Sequence, residues 1–344
     1  MVPADAGDDA PNFLAACAAD QPTPGGRVLV FANPFSGHRD NRQRVDALSA
    51  ALAARGLDTE VVWDAGRRDA ALTETESGAG PGCRALVAAG GDGSVNDAVN
   101  TLARAGRLDV PLATLPVGTE NLVAQALGFN VPADALADAL TAGQTRAIDL
   151  GVAGSTAALD AGEGHRFALM LTRGFDAHVV HRMDRWRRAP GVSGGGGALR
   201  RVNRFSYAPR ILRGLAGYRY PRLRLETPDG TVVEGVQAYV FNLGWYGGGF
   251  PLGEHACPDD GLLDWVVFQR PGSLRLLHTH WLATRRRHLD AAHVAHGRAA
   301  AVRITAVGDA VAAQADGDPL PPDATDVRVA AGALKVIDTS WRER

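Results

Sequence analysis

Residues 88–100 read Ala-Ala-Gly-Gly-Asp-Gly-Ser-Val-Asn-Asp-Ala-Val-Asn and place one carboxylate, Asp92, among three glycines, Gly90, Gly91 and Gly93. Without a Cβ, backbone can come within contact distance of a ligand, and the free N–H groups of such a turn, with those opening a following helix, suit a phosphate. A carboxylate beside bound phosphates is repulsive unless it holds a metal ion, a ribose hydroxyl or a proton in transfer. Asp92 therefore suggests chemistry, against the plainer reading of a tight βα turn with a solvent-facing Asp. Two related turns stand on either side. Residues 33–37, Asn33-Pro34-Phe35-Ser36-Gly37, supply an amide and free N–H groups, and residues 116–121 bring the Thr119 hydroxyl and the Asn121 amide near a ribose or phosphate.

Two acidic stretches lie in the second half. Cys257-Pro258-Asp259-Asp260-Gly261-Leu262-Leu263-Asp264 gathers three carboxylates around a turn, which suits either a hard cation held by oxygens or an ordinary acidic turn before a strand over 265–268. Ala315-Asp316-Gly317-Asp318-Pro319 reads first as an Asp-Gly hairpin, and second as a place where a general base is held. His178 and His181 share a helix face but have no acidic or cysteine partner at ligand spacing, and no role is assigned to them. The chain has a single lysine, Lys335, so neither a Walker P-loop nor the strand lysine of a protein kinase can be placed. Glycine turns and arginines must bind any phosphate.

The elements that position these groups follow from hydrophobic periodicity. Residues 27–31 form a buried-type strand before a helix over 40–55 that carries Val45, Leu48 and Leu52 on one face. Strands follow at 59–63, 84–89 and 111–115, with a helix bearing Val95, Ala98, Val99 and Leu102 after the central turn. A helix over 66–82 is doubtful, and Thr119 or Asn121 caps a helix reaching Leu127. This strand–helix rhythm predicts an α/β fold built on an open, mostly parallel sheet, with ligands beyond the strand carboxyl ends, where Asn33, Asp92 and Thr119 lie. After residues 148–151 the texture becomes mainly β. Pro228-Asp229-Gly230-Thr231 turns a hairpin between 223–227 and 232–241, helices are expected at 176–187, 205–215 and 273–288, and a glycine run occupies 194–197.

At 344 residues the chain accommodates two domains, and 46% hydrophobic and 22% charged content is that of a globular protein. No apolar run reaches the length of a membrane span, and residues 1–24 read as a disordered tail and not a signal peptide, which favours a cytoplasmic protein, soluble or peripherally attached to a membrane. Cys17, Cys83 and Cys257 share no redox or metal spacing. The net charge of −2 conceals a segment, 182–224, with twelve arginines and one acid, Asp184, which suits an anionic membrane or nucleic acid, a solvated face being the default.

The ordered motifs Asn-Pro-x-Ser-Gly, Gly-Gly-Asp-Gly-Ser-x-Asn-Asp, Pro-x-Gly-Thr-x-Asn, Pro-Asp-Asp-Gly-Leu-Leu-Asp and Asp-Gly-Asp-Pro resemble the diacylglycerol kinase catalytic-domain family over residues 27–340. The resemblance implies an α/β nucleotide-binding domain, 25–150 plus 330–344, and a β-sandwich-like lipid-substrate domain, 151–329, with ATP between them. It implies nucleotide contacts from Asn33, Gly37, Arg39, Gly90, Gly91, Asp92, Gly93, Thr119 and Asn121, with Asp149 closing that site. It casts Asp316 as the base toward a lipid hydroxyl, with Asp318 and Asp92 also catalytic, and the Asp259–Asp260 turn as a Mg²⁺-holding loop. Asp97 and Asp318 stand where the family often has Glu, and Ser94 where Thr is usual. The activity so implied is transfer of the ATP γ-phosphate to a diacylglycerol- or sphingoid-like lipid, with no nucleic-acid partner expected. An NAD-kinase-like enzyme and a non-catalytic nucleotide-binding regulator are the alternatives.

Overall fold

The computed structural model describes residues 26–34, 36, 41–74, 82–188 and 217–340. The expectations for residues 1–24, Gly37, His38, Arg39, the 194–197 run and the 205–215 helix lie outside the described residues. The first half follows the order β1 (Arg27–Ala32), α1 (Asn41–Ala53), β2 (Thr59–Val62), α2 (Arg68–Glu74), β3 (Cys83–Gly90), α3 (Asp92–Arg104), β4 (Leu112–Pro116), α4 (Leu122–Ala126), α5 (Ala133–Ala142) and β5 (Thr145–Gly154). The second continues with α6 (Thr156–Asp160), β6 (His165–Phe167), β7 (Met170–Arg173), α7 (Phe175–Arg188), β8 (Arg222–Glu226), β9 (Val232–Gly235), β10 (Gln237–Phe241) and β11 (Leu263–Phe268). Then come α8 (Ser273–Ala283), β12 (Val294–Ala299), β13 (Ala301–Val307), β14 (Ala313–Ala315), β15 (Asp318–Leu320) and β16 (Asp326–Ile337).

Strands β2, β1, β3 and β4 pair in that order, all parallel. Val28, Leu29, Val30 and Phe31 are at most 1% exposed, so the apolar run of β1 is covered on both faces, as a strand inside a parallel sheet must be. Val95, Ala98, Val99 and Leu102 of α3 recur at helical spacing and are buried in the same core. The second sheet, β12-β11-β10-β7-β14-β15, is antiparallel throughout, so the second half is β-rich as expected.

Strand β16 joins the two halves. It pairs parallel with β4 through Val336 and Leu112, antiparallel with β5 over most of its length, and antiparallel with β13 at its start. Its register shifts between Ala330 and Leu334, where the strand bulges.

Three expected elements differ. The hairpin after Pro228 forms, but its second strand breaks at Val236: β9 stays with β8, while β10 crosses into the other sheet. Gly235 permits the crossing, since a Cβ there would sit 2.7 Å from the Phe268 carbonyl oxygen. The helix beginning at Ser273 stops at Ala283, not 288, and the doubtful 66–82 segment holds a real helix, α2, after a 3₁₀ turn at Ala65–Arg67. Among the described residues no helix is long and apolar enough to cross a membrane.

Candidate active site

Strand β3 ends at Gly90, Gly91 is extended, and α3 starts on Asp92, so the carboxylate opens the helix where the dipole favours a negative charge. Asp92 Oδ1 accepts the Val123 N–H at 2.9 Å, tying the central turn to α4. The two glycine turns are in backbone contact: a Cβ on Gly118 would lie 2.5 Å from the Gly91 Cα, which no side chain survives. Gly93 is different. A Cβ there meets nothing within 4 Å, so packing does not require glycine and the space over the first turn of α3 is open. Asn33 closes the group, its Nδ2 3.5 Å from Ser94 Oγ and its carbonyl accepting from Asn41. Thr119 is exposed on the same edge.

Sequence reasoning passed over Arg44, an exposed residue in the first turns of α1 whose guanidinium donates to the Pro116 carbonyl at the lip of these turns. Its position in the first helix after a glycine turn was the available signal. Asp97 ion-pairs with the buried Arg68, which also donates to the Ala32 carbonyl at 3.2 Å, so the acid shorter than the usual Glu still reaches its partner.

From the other sheet, Asp316 sits between β14 and β15 at φ +46°, a left-handed conformation that Asp tolerates. Its carboxylate accepts N–H groups from Ala168 at 2.7 Å, Leu169 at 3.1 Å and Met170 at 2.8 Å. Burial nevertheless pushes this carboxyl up to about 7, outweighing the three donors, and the charge of Asp92 adds to the rise. Burial also raises Asp92, helped by Glu120. The two carboxylates, one opening α3 and one from the β14–β15 turn, thus lie near enough for the charge of Asp92 to act on Asp316.

Asp318 is exposed, and its Oδ2 accepts from Asn96 Nδ2 at 2.8 Å. One turn along α3, Asn100 donates to Asn96 Oδ1 at 2.9 Å and exchanges two hydrogen bonds with the Arg166 backbone, at 2.9 and 3.0 Å. This amide pair bolts the helix after the central turn onto the second half. Two Asn four apart beside apolar helix positions were visible in the sequence. Another network carried no such signal: Asp176 accepts from Thr172 at 2.8 Å, Gln314 at 3.0 Å and the Tyr246 hydroxyl at 2.7 Å, and Gln314 in turn accepts the Gly317 N–H at 2.8 Å.

Several assigned residues are occupied otherwise. Asn121 was expected at the nucleotide and as a helix cap, yet its Oδ1 accepts the Gly118 N–H at 2.9 Å and its Nδ2 donates to the Gly118 carbonyl at 3.0 Å. It holds the turn and makes no cap bond. Asp149 is 2% exposed, and its carboxylate accepts from Gly261 and Gly332, each at 2.7 Å, so it joins loops of the two halves. Asp260 is ion-paired with Arg298 and accepts the Leu262 N–H at 3.0 Å, while Asp259 accepts the Cys257 thiol at 2.9 Å. Arg298 also reaches Asp264 at 3.3 Å. The acidic turn already holds a cation of its own, and the residues do not fit a Mg²⁺ loop. Among the described residues no group of three or more His, Cys, Asp or Glu gathers at metal-binding range.

Most of the arginine-rich segment, 189–216, lies outside the described residues. Within it Arg222 pairs with Glu234 at 2.8 Å and Arg224 with Glu226 at 2.9 Å, so these two offer little net charge.

Glycine turns at the edge of a parallel sheet, with the half-buried Asp316 carboxylate of an antiparallel sheet near them, suit phosphoryl transfer by a kinase of two halves. The chain belongs to the diacylglycerol kinase catalytic-domain family of lipid kinases: residues 27–153 match the diacylglycerol kinase catalytic domain, and residues 170–338 the YegS C-terminal NAD kinase beta sandwich-like domain. It is 30% identical to a diacylglycerol kinase of Mycobacterium tuberculosis over 315 residues, 91% of this chain and 95% of the relative. It is 26% identical to a diacylglycerol kinase of Staphylococcus aureus, over 82% of this chain and 83% of that one. The crystal structure of a diacylglycerol kinase from Bacillus anthracis str. Sterne has the same fold, with a TM-score of 0.60 and 19% identity over 92% of this chain and 98% of that one.

Proposed function

We propose that the chain transfers the γ-phosphate of ATP to a hydroxyl of a diacylglycerol-like lipid at an anionic membrane surface, with residues 25–150 plus 330–344 taking the nucleotide and 151–329 the lipid. The observation that carries this reading is that Asp92, opening α3 beside Gly93 with open space beyond it, lies near enough to Asp316 of the second half for its charge to push that carboxyl up. The N–H groups of the central turn and the amide of Asn33 bind phosphate and ribose oxygens; Thr119 lies within the same edge, and Arg44 supplies positive charge that the absent lysine would otherwise give. The lipid hydroxyl oxygen bonds to the γ-phosphorus as the bond to the β-phosphate oxygen breaks and ADP leaves. The hydroxyl proton passes to Asp316, whose carboxyl near 7 is matched to accept it at neutral pH. The rest is positioning and charge neutralisation.

Mg²⁺ fits Asp92 in donor type: one oxygen is committed to Val123, and its neighbouring charges call for a counter-ion. Such an ion, arriving with the nucleotide, would neutralise phosphate charge there. Incubation of the protein with γ-labelled ATP and a panel of lipids tests the proposal: label is expected in diacylglycerol, and label confined to a soluble acceptor or released only as phosphate overturns it.

A further inference from the structure

Helix α8 presents two unlike faces. Leu276, Thr279 and Ala283 are buried at i, i+3 and i+7. On the outer side Leu274 is 83%, Leu277 49% and Trp281 50% exposed, again at i, i+3 and i+7. The described residues contain five exposed large hydrophobics, and these three fall within eight positions of one helix, a concentration that marks a surface made to be covered.

The charge around this stripe is of one sign. Between Asp264 and Asp290 the sequence has no acid and five arginines, Arg270, Arg275, Arg285, Arg286 and Arg287. All five are exposed, and none is paired with a carboxylate among the described residues. Arg285 lies over the Trp281 ring, 3.8 Å from its centroid, and His278 stacks on the same ring with centroids 5.7 Å apart, so the indole is held at the surface by polar neighbours.

We infer that this face of α8 docks onto the surface of an anionic phospholipid bilayer, with Leu274, Leu277 and Trp281 entering the interface and the arginines meeting headgroup phosphates. The inference rests on the lipid-kinase reading and locates where the substrate's membrane would lie. Leu and Trp side chains with a flanking arginine cluster combine the two signals that stable interfacial attachment needs. A second copy is a poor occupant, because a two-fold contact would set five unpaired arginines against five. The inner side of the helix leads by contacts to the third glycine turn. His280 packs among Tyr239, Tyr246 and Phe268, the Tyr246 hydroxyl donates to Asp176, and the following Gly248 N–H donates at 3.0 Å to Glu120 of the third glycine turn. A lipid leaving the bilayer beside α8 is thus adjacent to the walls of the site.

The test is sedimentation of the full chain with phosphatidylcholine vesicles containing or lacking phosphatidylglycerol. Binding is expected only with the anionic lipid and should weaken with salt. Combined Leu274→Ser, Leu277→Ser and Trp281→Ser should lower vesicle affinity at least about tenfold, and combined Arg285→Gln, Arg286→Gln and Arg287→Gln about a hundredfold. Both variants should keep the parent's thermal unfolding and its turnover of a short-chain diacylglycerol in solution. Vesicle affinity unchanged in either variant overturns the proposal, as does parent self-association, or capture of an acidic protein in place of vesicles, that the apolar variant abolishes. Failure of the kinase reading is separate: it abolishes short-chain turnover in the parent while leaving vesicle binding intact.

Discussion

Asp92 and Asp316 carry different tasks, and the variants that separate them follow from their hydrogen bonds. Asn at 92 keeps an oxygen for the Val123 N–H and removes only the charge, so Asp92→Asn should unfold at the parent's temperature while kcat falls at least about 100-fold. Parental kcat would exclude Asp92 from the chemistry. Asp316 is less forgiving, because an Asn amide would turn its N–H₂ toward one of three converging N–H groups, at about 1–3 kcal/mol. The parent's pH profile is therefore its better probe. As a base it works deprotonated, so kcat/KM should rise through about pH 7 and level above it. Stability runs the other way. A carboxyl raised from 3.8 to about 7 binds its proton more tightly when folded, so its contribution is full below about pH 4 and is lost as pH rises through 7. A rate profile flat from pH 5 to about 8 would remove Asp316 as the base.

At this scale the sequence was informative where chemistry is local. The glycines around Asp92 stand out by themselves, while the Asp-Gly-Asp stretch reads first as a hairpin and gains its role only from the resemblance. The tasks of Asn121 and Asp149 do not stand out. Asn121 spends both polar atoms on a neighbour's backbone, and Asp149 meets glycines 112 and 183 residues away, partners that only folding brings near.

Among the elements, the acidic turn before β11 shows how one strand supplies what a motif seems to request from solution. Arg298 reaches across from β12, the neighbour of β11, and sits between Asp260 and Asp264. The parent's melting temperature should therefore be indifferent to millimolar Mg²⁺ or Ca²⁺. Arg298→Met should lower it and make it rise again on adding either ion, since Asp260 and Asp264 lose the cation between them; scanning calorimetry in chelator and in metal reads this directly. A metal-dependent parent would contradict the self-neutralised turn. The strand rhythm and the core faces of α1 and α3 were legible because burial imposes periodicity. The passage of the chain from β9 to β10 was not, because a continuous apolar run reads the same whether or not it changes sheets at Val236.

For the whole molecule, Asp149 is one of the points at which the two halves are pinned, beside β16 and the Asn96–Asn100 pair. It lies in β5, accepts from the bulge of β16 at Gly332 and from the loop before β11 at Gly261, and receives its own carbonyl's partner from Asn242 at 2.9 Å. Asp149→Ala removes the charged acceptor of the Gly261 and Gly332 N–H groups, each bond worth about 1.5–3 kcal/mol, and should split a single calorimetric transition into two as the halves lose this joint. One transition at the parental temperature would show that the joint is held elsewhere.

Strand β16 also fixes the order in which the protein can be completed. Val336 pairs with Leu112, so the edge of the sheet beside β4 stays bare until β16 itself has left the ribosome. Until then the nascent first half displays an unpaired, apolar strand edge, the kind of surface on which other chains add. A contact joining such distant positions also closes slowly, because the intervening loop must be ordered first. The sheet of the nucleotide half is thus closed only after the β-rich segment has been made, and its most exposed moment falls between the synthesis of β4 and the arrival of β16.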